Sequence, residues 1–240
     1  MKNKESTEDE IVDFFKDQSG EKYSSLKKQI ELHEREIAGL LNQKAIGDVL
    51  SIGGVWELFE WNSQLKSLTI LDLSKEMLED YAPENSIPIV GNLYTHEFNS
   101  QQFDAVVFPF ILHHTAEGSW TNCENRIVDA FERAHRWLKP NGKILIIEAC
   151  PHPLWYPVQR GLFSLIKLFL AIVKQPPVVN FTKSFYLQKL NQKFRNSVAL
   201  KIIPEGYNQW AWYPVFMATH WLRLPMIISP KIHLLSGEKT

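Results

Sequence analysis

The chain has 240 residues, of which 45% are hydrophobic and 12% aromatic, and this composition excludes a disordered or low-complexity protein. The length fits one domain or one domain with an appendage. The formal net charge of −1 hides an asymmetry, because residues 1–150 carry 25 acidic and 15 basic side chains, whereas residues 151–240 carry 2 acidic and 11 basic ones. The sequence therefore has an acidic half and a basic half.

Several functional classes find no support in the sequence. Two cysteines and no apolar leader at the start favour a reducing, cytoplasmic environment. No apolar run reaches the ~18 residues of a membrane-spanning helix. The basic side chains of the second half are scattered among apolar ones, which argues against a nucleic-acid partner, and no residue spacing indicates a metal site.

Short apolar runs alternate with helical patterns from Asp48 onward, after two expected surface helices within residues 1–44. This alternation predicts a doubly wound, Rossmann-like α/β fold with a mostly parallel sheet. We expect strands over residues 48–52, 68–72, 87–90, 103–110 and 143–148, and helices over residues 55–61, 74–81 and 125–138.

The regular alternation stops after residue 148. An apolar helix is expected over residues 158–173 and a polar helix over residues 182–194, followed by strands over residues 197–203 and 211–219 that would complete the sheet. The apolar helix is hydrophobic nearly all round, which leaves burial in a lid, a dimer contact and shallow membrane association open. We thus divide the chain into a helical cap (1–44), a Rossmann-like core (45–150), an inserted lid (151–196) and the final strands with a tail (197–240).

Two strand ends carry residues suited to a nucleotide-like ligand. Gly53 and Gly54 follow the first strand, where the missing Cβ atoms allow close backbone approach. Asp72 ends the second strand, 19 residues beyond Gly53, a separation at which a carboxylate can accept both hydroxyls of a ribose. In a parallel sheet the ligand lies at these carboxyl ends. The pair therefore predicts a nucleoside-containing cofactor.

The segments VLSIGG, LTILDLSKEML, VGN, FDAVVFPFILHH and AFERAHRWLKPNGKILIIE resemble, in order and spacing, the motifs of class I S-adenosylmethionine-dependent methyltransferases. The resemblance covers residues 45–150 and is nearest to the quinone-biosynthesis and small-molecule branch. It departs from the family at Ser51, where an acidic residue is usual, and Glu57 is an alternative source of that carboxylate.

The resemblance implies a role for each matching residue. Glycines 53 and 54 would line the amino-acid and ribose side of S-adenosylmethionine, and Asp72 would hold the ribose hydroxyls. The other implied cofactor contacts are Leu73 and Met77 beside the adenine, Asn92 with its side-chain carbonyl toward the adenine amino group, the adjacent Leu93, and Phe108 and Pro109 with Phe110 near the reactive methyl.

Histidines that follow the predicted strands are candidate general bases, because imidazole titrates near neutral pH. His113 and His114 follow the fourth strand and are the leading candidates, and each also has a plain structural interpretation. His152 follows the fifth strand. Glu148, at the end of that strand, would orient the substrate or hold a loop. Tyr23 resembles the N-terminal aromatic residues that close over the cofactor in this family.

The second half contains fourteen of the aromatic side chains, which predicts an aromatic pocket with a cationic rim. A planar or lipid-like acid would suit such a pocket. The expected substrate contacts in this half are Trp155, Tyr156, Arg160 and Tyr213, with Arg223 at the rim.

We therefore predict methyl transfer from S-adenosylmethionine to an oxygen or nitrogen of a hydrophobic small metabolite, by a monomer or homodimer. Two alternatives remain open. One is an enzyme of this fold that catalyses a cyclisation or rearrangement without methyl transfer. The other is a non-catalytic binding subunit.

Overall fold

The computed structural model describes residues 31, 33–54, 56–62, 64–172, 177–205, 207–208, 210, 212–214, 223–225 and 227–240. The first of the two expected N-terminal helices and the candidate residue Tyr23 lie outside these residues.

The helices and strands follow the chain in an order that is close to the expected one. The helices are α1 (Glu34–Lys44), α2 (Lys75–Tyr81), α3 (Trp120–Trp137), α4 (Tyr156–Gly161), α5 (Phe163–Ile172) and α6 (Lys183–Leu190). The strands are β1 (Gly47–Ile52), β2 (Leu65–Asp72), β3 (Ile87–Val90), β4 (Phe103–Pro109), β5 (Leu138–Cys150), β6 (Arg195–Lys201), β7 (Trp212–Pro214), β8 (Arg223–Pro225) and β9 (Lys231–Glu238).

A seven-stranded sheet has the order β3-β2-β1-β4-β5-β9-β6. The neighbouring strands β3, β2, β1, β4 and β5 pair with one another in parallel, and β9 lies antiparallel between β5 and β6. The order reverses between β1 and β4, so the carboxyl ends of these two strands form the crevice where ligands bind in doubly wound sheets. The expected α/β fold is confirmed.

Apolar side chains cover both faces of this sheet, as expected for strands that read as continuous apolar runs. On one face α3 packs its buried side, which includes Ile127 and Phe131, against Val106 and Ile146. On the other face α1 contributes Ile37 and Leu41, and α2 contributes Met77 and Leu78. The central strands are thereby fixed rigidly, which holds their carboxyl ends in place.

The strand expected over residues 211–219 is present at Trp212–Pro214, but the expectation that it completes the main sheet is wrong. Trp212–Pro214 instead pairs with Arg223–Pro225 in a separate two-stranded sheet, and residues 215–219 lie outside the described residues. The place beside β5 belongs to β9, whose residues Ile232 and Leu235 are completely buried. The polar residues in KIHLLSGE interrupt the apolar pattern, so the sequence does not predict this strand, which β5 and β6 flank on both sides.

Two helix predictions also need correction. The expected helix over residues 55–61 is wrong, because residues 56–61 contain one 3₁₀ turn, Trp56–Leu58, and residue 55 lies outside the described residues. The expected single helix over 158–173 is divided into α4 and α5, which meet at Leu162. No helix among the described residues has the length and apolar character needed to cross a membrane.

Candidate functional site

The glycine turn after β1 is fixed by contacts from three neighbouring segments. The Gly53 N–H donates to the carbonyl of Leu71 at 2.9 Å, which ties the turn to β2. The indole N–H of Trp56 donates to the Gly53 carbonyl, so the buried Trp56 ring supports the turn from below. Gly53 has φ +80°, and a Cβ there would lie 3.0 Å from Cδ1 of Ile111, which follows β4. The crevice between β1 and β4 is closed tightly at Gly53.

The two glycines differ in what surrounds them. A Cβ built on Gly54 meets no atom within 4 Å, and its backbone does not adopt a left-handed conformation. Gly54 is therefore the residue of this turn whose backbone faces open space, where a ligand could approach closely.

This difference gives a matched pair of variants. Gly53→Ala should destabilise the fold by about 1–3 kcal/mol, because alanine is strained at positive φ and collides with Ile111. Gly54→Ala should leave the unfolding midpoint within experimental error, because its Cβ meets no atom, yet it should weaken binding of a ligand that passes close to this Cα. Thermal unfolding and calorimetry of both variants separate the two effects. Equal stability of G53A and wild type would contradict the geometry.

Asp72 is half-buried at the carboxyl end of β2. Its Oδ1 accepts the Ser74 N–H at 2.8 Å, and Ser74 in turn caps α2 by accepting the Met77 N–H at 3.2 Å. Burial raises the pKa of Asp72 to about 6, against the hydrogen bonds from the backbone N–H groups of Ser74 and Leu73. Among the described residues no Lys, Arg or His forms an ion pair with it. An enclosed carboxylate without a cation is suited to accept hydrogen bonds from ligand hydroxyls.

The other expected cofactor residues lie along the same edge in different degrees of burial. Leu73 and Leu93 are half-buried, whereas Met77, on α2, is buried in the core. The side-chain oxygen of Asn92 accepts the Tyr94 N–H at 2.7 Å. A carbonyl oxygen has two lone pairs, so one acceptor site of Asn92 is left for another donor.

Strand β4 ends in a strained residue. Phe108 is fully buried among the side chains that face α3, and Pro109 is buried at the last position of the strand. Phe110 follows with φ +54°, a conformation that a bulky L-residue rarely adopts, and its N–H donates to the Ile147 carbonyl at 2.8 Å. Such strain is concentrated at functional sites in folded proteins.

His113 and Glu148 form a buried pair at the ends of β4 and β5. Both side chains are 1% exposed, and the His113 Nδ1 lies 3.0 Å from Glu148 Oε2. The Glu148 Oε1 also accepts the Leu112 N–H at 2.7 Å and the His113 N–H at 3.3 Å. The carboxylate therefore holds the loop after β4 and orients the imidazole ring at the same time.

The pairing determines which nitrogen of His113 is free for chemistry. In the neutral ring Nδ1–H donates to the carboxylate, which leaves the lone pair on Nε2. Nε2 is buried and has no hydrogen-bond partner among the described residues. The His113 carbonyl accepts the Val179 N–H at 2.9 Å, which joins this loop to the segment before α6.

His114 lies beside this pair, with its ring centroid 4.2 Å from that of His113. Burial, together with the neighbouring His113, lowers the pKa of His114 well below its usual value. His114 therefore stays neutral at physiological pH.

The expected substrate residues are divided between an aromatic cluster and the surface. Tyr156 is half-buried and packs edge-on against Trp120 with 5.5 Å between ring centroids, and burial raises its pKa. Trp155 and Arg160 are exposed, and His152 accepts the Leu154 N–H at 3.3 Å. The side chains of Tyr213 and Arg223 lie outside the described part of the structure.

The position of the missing acidic residue is buried. Ser51 is completely enclosed, and its hydroxyl donates to the Gly53 carbonyl at 3.4 Å. Glu57, the alternative carboxylate, is exposed on the 3₁₀ turn. Among the described residues no group of three His, Cys, Asp or Glu side chains has the arrangement of a metal site.

Comparison with known proteins decides the class of the fold. Residues 50–146 match the family model of the methyltransferase domain. An S-adenosylmethionine-dependent methyltransferase from Thermotoga maritima superposes with a TM-score of 0.62 at 13% identity, over 98% of this chain and 100% of that one. The chain therefore has the class I methyltransferase fold, with a match to the methyltransferase domain over residues 50–146.

Two further structures share this methyltransferase fold. One is a chain of the complex between the Haloferax volcanii Trm112 methyltransferase activator and a methyltransferase, with a TM-score of 0.61, 13% identity, and coverage of 90% of this chain and 94% of that one. The other is the YcgJ protein of Bacillus subtilis, with a TM-score of 0.51, 17% identity, and coverage of 85% and 98%. No curated protein sequence matches the chain significantly.

Sequence reasoning missed three residues of the methyltransferase crevice. Ile111 fills the space above Gly53, Trp56 supports the turn through its indole N–H, and Phe110 adopts a left-handed conformation. The first two contacts join residues across the crevice or the turn, and hydrophobicity patterns do not report them. Phe110 carries no sequence signal, because left-handed residues are usually glycine or asparagine.

Proposed function

We propose that the chain transfers a methyl group from S-adenosylmethionine to an oxygen or nitrogen of a hydrophobic small metabolite. The observation that carries this proposal is the Asp72 carboxylate, enclosed without a cationic partner beside the open turn at Gly54. A group of this kind favours a ligand that brings hydroxyl donors, as a ribose does.

The residues present fit this cofactor. Asp72 would take the ribose hydroxyls, and Leu73 and Asn92 would face the adenine. The open Gly54 would lie under the amino-acid side, with Gly53 shaping the turn through its positive φ. S-adenosylmethionine supplies an electrophilic methyl group on a sulfonium when it is bound. The chain's own contribution is orientation, since transfer to a competent nucleophile needs mainly proximity and an in-line approach.

His113 is proposed as the general base for the acceptor. Its Nε2 would take the proton of an acceptor hydroxyl or amine while Glu148 stabilises the imidazolium that forms. Because Nε2 is buried, the acceptor reaches it only after the residues packed over His113 have moved. The Val179 N–H bond to the His113 carbonyl makes the segment before α6 part of that movement.

The substrate class follows from the second half of the chain. The Trp120 ring centroid lies 5.3–5.5 Å from those of Tyr156, Phe163 and Phe181, and the Tyr156 and Phe181 centroids lie 6.5 Å apart. Residues 151–204 contain eight Lys or Arg and no Asp or Glu. A planar or lipid-like acid would match both features, and membership of the quinone-biosynthesis branch remains a prediction.

Isothermal titration calorimetry with S-adenosylmethionine and S-adenosylhomocysteine tests cofactor binding. We expect both to bind in the micromolar range, as substrates of enzymes usually do. Absence of heat from either at millimolar ligand would refute the proposal. A panel of aromatic and aliphatic acids is then incubated with the chain and methyl-labelled cofactor. A product heavier by one labelled methyl group identifies the acceptor by mass spectrometry.

A second function is favoured by the altered first motif. Ser51 replaces the usual acid, and the helix expected after β1 is reduced to the 3₁₀ turn Trp56–Leu58. An enzyme of this fold that rearranges or cyclises its substrate would tolerate both changes. The same mass-spectrometric assay separates the two functions, because a rearrangement yields a product with an unchanged number of methyl groups. A non-catalytic binding subunit would yield no product, and its biological activity would survive loss of His113.

A further inference from the structure

The outward face of α5 is apolar. Leu162, Leu165, Phe169 and Ile172 recur at the spacing of one helix face, and Leu168 lies beside them. Leu165 and Phe169 are each 61% exposed, and Ile172 is 72% exposed. The opposite side of α5 packs inward through Phe163. Both sides of this helix are therefore apolar, although only one side is buried.

The apolar surface continues beyond α5. Leu154, Trp155 and Val158, on and before α4, are exposed large side chains. The Trp155 indole N–H donates to the Ile228 carbonyl, and the Ile228 N–H donates to the carbonyl of Pro225 in β8. Strand β8 pairs with β7, where Trp212 is exposed. We call this combined set the outer apolar surface; its members are Leu154, Trp155, Val158, Leu162, Leu165, Leu168, Phe169, Ile172, Trp212 and Ile227.

The chain segment that carries most of this surface is basic. Residues 151–204, which contain α4, α5 and α6, have eight basic side chains and no acidic ones. Arg160 on α4 and Lys183 on α6 are exposed. A group of large exposed apolar side chains on neighbouring elements marks an interaction site. The excess of basic side chains in this segment favours a negatively charged partner, whereas a second copy of the same basic segment would be repelled.

We propose that the outer apolar surface binds the chain to the surface of an anionic phospholipid bilayer. Helix α5 has 10 residues, so it extends about 15 Å and lies in the plane of the interface instead of crossing it. Leucine and phenylalanine side chains enter the boundary between headgroups and acyl chains, and tryptophans occupy the headgroup level. The basic side chains contact lipid phosphates. This proposal concerns attachment and does not depend on the reaction catalysed.

Flotation with lipid vesicles tests the proposal on the full chain. Vesicles of phosphatidylcholine with roughly 30 mol% phosphatidylglycerol, which are anionic, are compared with vesicles of pure phosphatidylcholine, which carry no net charge. We expect the chain to float with the anionic vesicles, and less of it to float at high salt, where screening is strong. The double variant L165Q/F169Q should lower the partition coefficient at least about tenfold. Arg160→Gln should lower it up to about fivefold.

The matched control places the same change on another exposed apolar pair. Ile87 and Val90 on the edge strand β3 are 53% and 54% exposed and lie in the acidic half of the sequence. I87Q/V90Q should bind vesicles as the wild type does. Because all four positions are exposed, the variants should keep the wild-type circular dichroism spectrum and unfolding midpoint.

Three outcomes would overturn the proposal. The first is a wild-type chain that does not float with anionic vesicles. The second is L165Q/F169Q that floats as the wild type does, or I87Q/V90Q that loses binding equally. The third is a wild-type dimer that L165Q/F169Q converts to a monomer without any vesicle binding, which would assign the surface to a second copy of the chain.

Discussion

Replacing Asp72 by alanine is expected to weaken S-adenosylhomocysteine binding by about 100-fold or more, because two ribose hydroxyls would lose a charged acceptor. The Ser74 N–H fixes the carboxylate at the end of β2, so the loss is one of preorganised contacts. Asp72→Asn keeps one acceptor oxygen and should cost about tenfold. Calorimetry measures both. Asp80→Asn, at an exposed position on α2, is the control and should bind as the wild type does.

The Asp72→Asn variant should also make the free protein more stable than the wild type. Burial raises the folded-state pKa of Asp72 from 3.8 to about 6, so ionisation of this carboxylate opposes folding as the pH rises from about 4 to about 6. The cost is fully present above about pH 6, and asparagine removes it while still accepting the Ser74 N–H. At pH 8 we expect D72N to unfold at a higher temperature than the wild type. Higher stability combined with weaker binding would identify Asp72 as a functional residue; a lower midpoint would contradict its buried charge.

The ligand affinity should also depend on pH through this group. Ribose hydroxyls donate to the ionised carboxylate more strongly than to the protonated acid, which keeps one carbonyl acceptor as asparagine does. Binding is therefore strongest above pH 6, weakens as the pH falls through the pKa of about 6, and levels off about tenfold weaker, near the affinity of D72N. In D72N the affinity should be flat between about pH 5 and pH 7, where the ligand's own α-amino and α-carboxyl groups do not titrate.

The sequence predicted the parts of the fold that depend on local pattern. Buried strands such as Val49–Ile52 and Ile144–Ile147 read as apolar runs because both of their faces are covered, and Asp72 follows its strand at a recognisable distance from Gly53. The parts that failed depend on distant neighbours. Strand β9 contains His233, Ser236 and Gly237, and it becomes a strand because β5 and β6 supply hydrogen bonds on both sides.

The candidate site shows the same division. Glu148 and His113 were expected at one rim, but not as partners, because 35 residues separate them and only the pairing of β4 with β5 brings them within 3.0 Å. The segment 55–61 has a helical pattern, yet the chain turns early because the Trp56 ring is buried and its N–H reaches back to Gly53. Tertiary burial of one large side chain outweighs the helical pattern of a short segment.

Replacing Glu148 by glutamine should change the protonation of His113 without breaking the loop. The amide oxygen of glutamine can still accept the N–H groups of Leu112 and His113 that the carboxylate holds now. Its NH₂ group would then donate to Nδ1, which forces the imidazole proton onto Nε2. A neutral ring in that tautomer cannot take a proton from the acceptor.

Nitrogen NMR of the histidine rings tests this without a substrate. We expect the wild-type His113 ring to carry its proton on Nδ1 and the E148Q ring to carry it on Nε2. Thermal unfolding should confirm that E148Q remains folded. An unchanged tautomer in E148Q would show that the carboxylate does not set the state of the ring.

Turnover with the acceptor found by mass spectrometry tests the catalytic role. H113Q and E148Q should each lower kcat by about 10²–10⁴-fold, the range for loss of a general base, while S-adenosylhomocysteine affinity stays at the wild-type value. The double variant should be no slower than either single one, because both remove the same lone pair. His114→Gln is the matched control, since its neutral ring lies beside His113. A larger loss in H114Q than in H113Q would transfer the role to His114 and leave the His113–Glu148 pair as the support of the loop after β4.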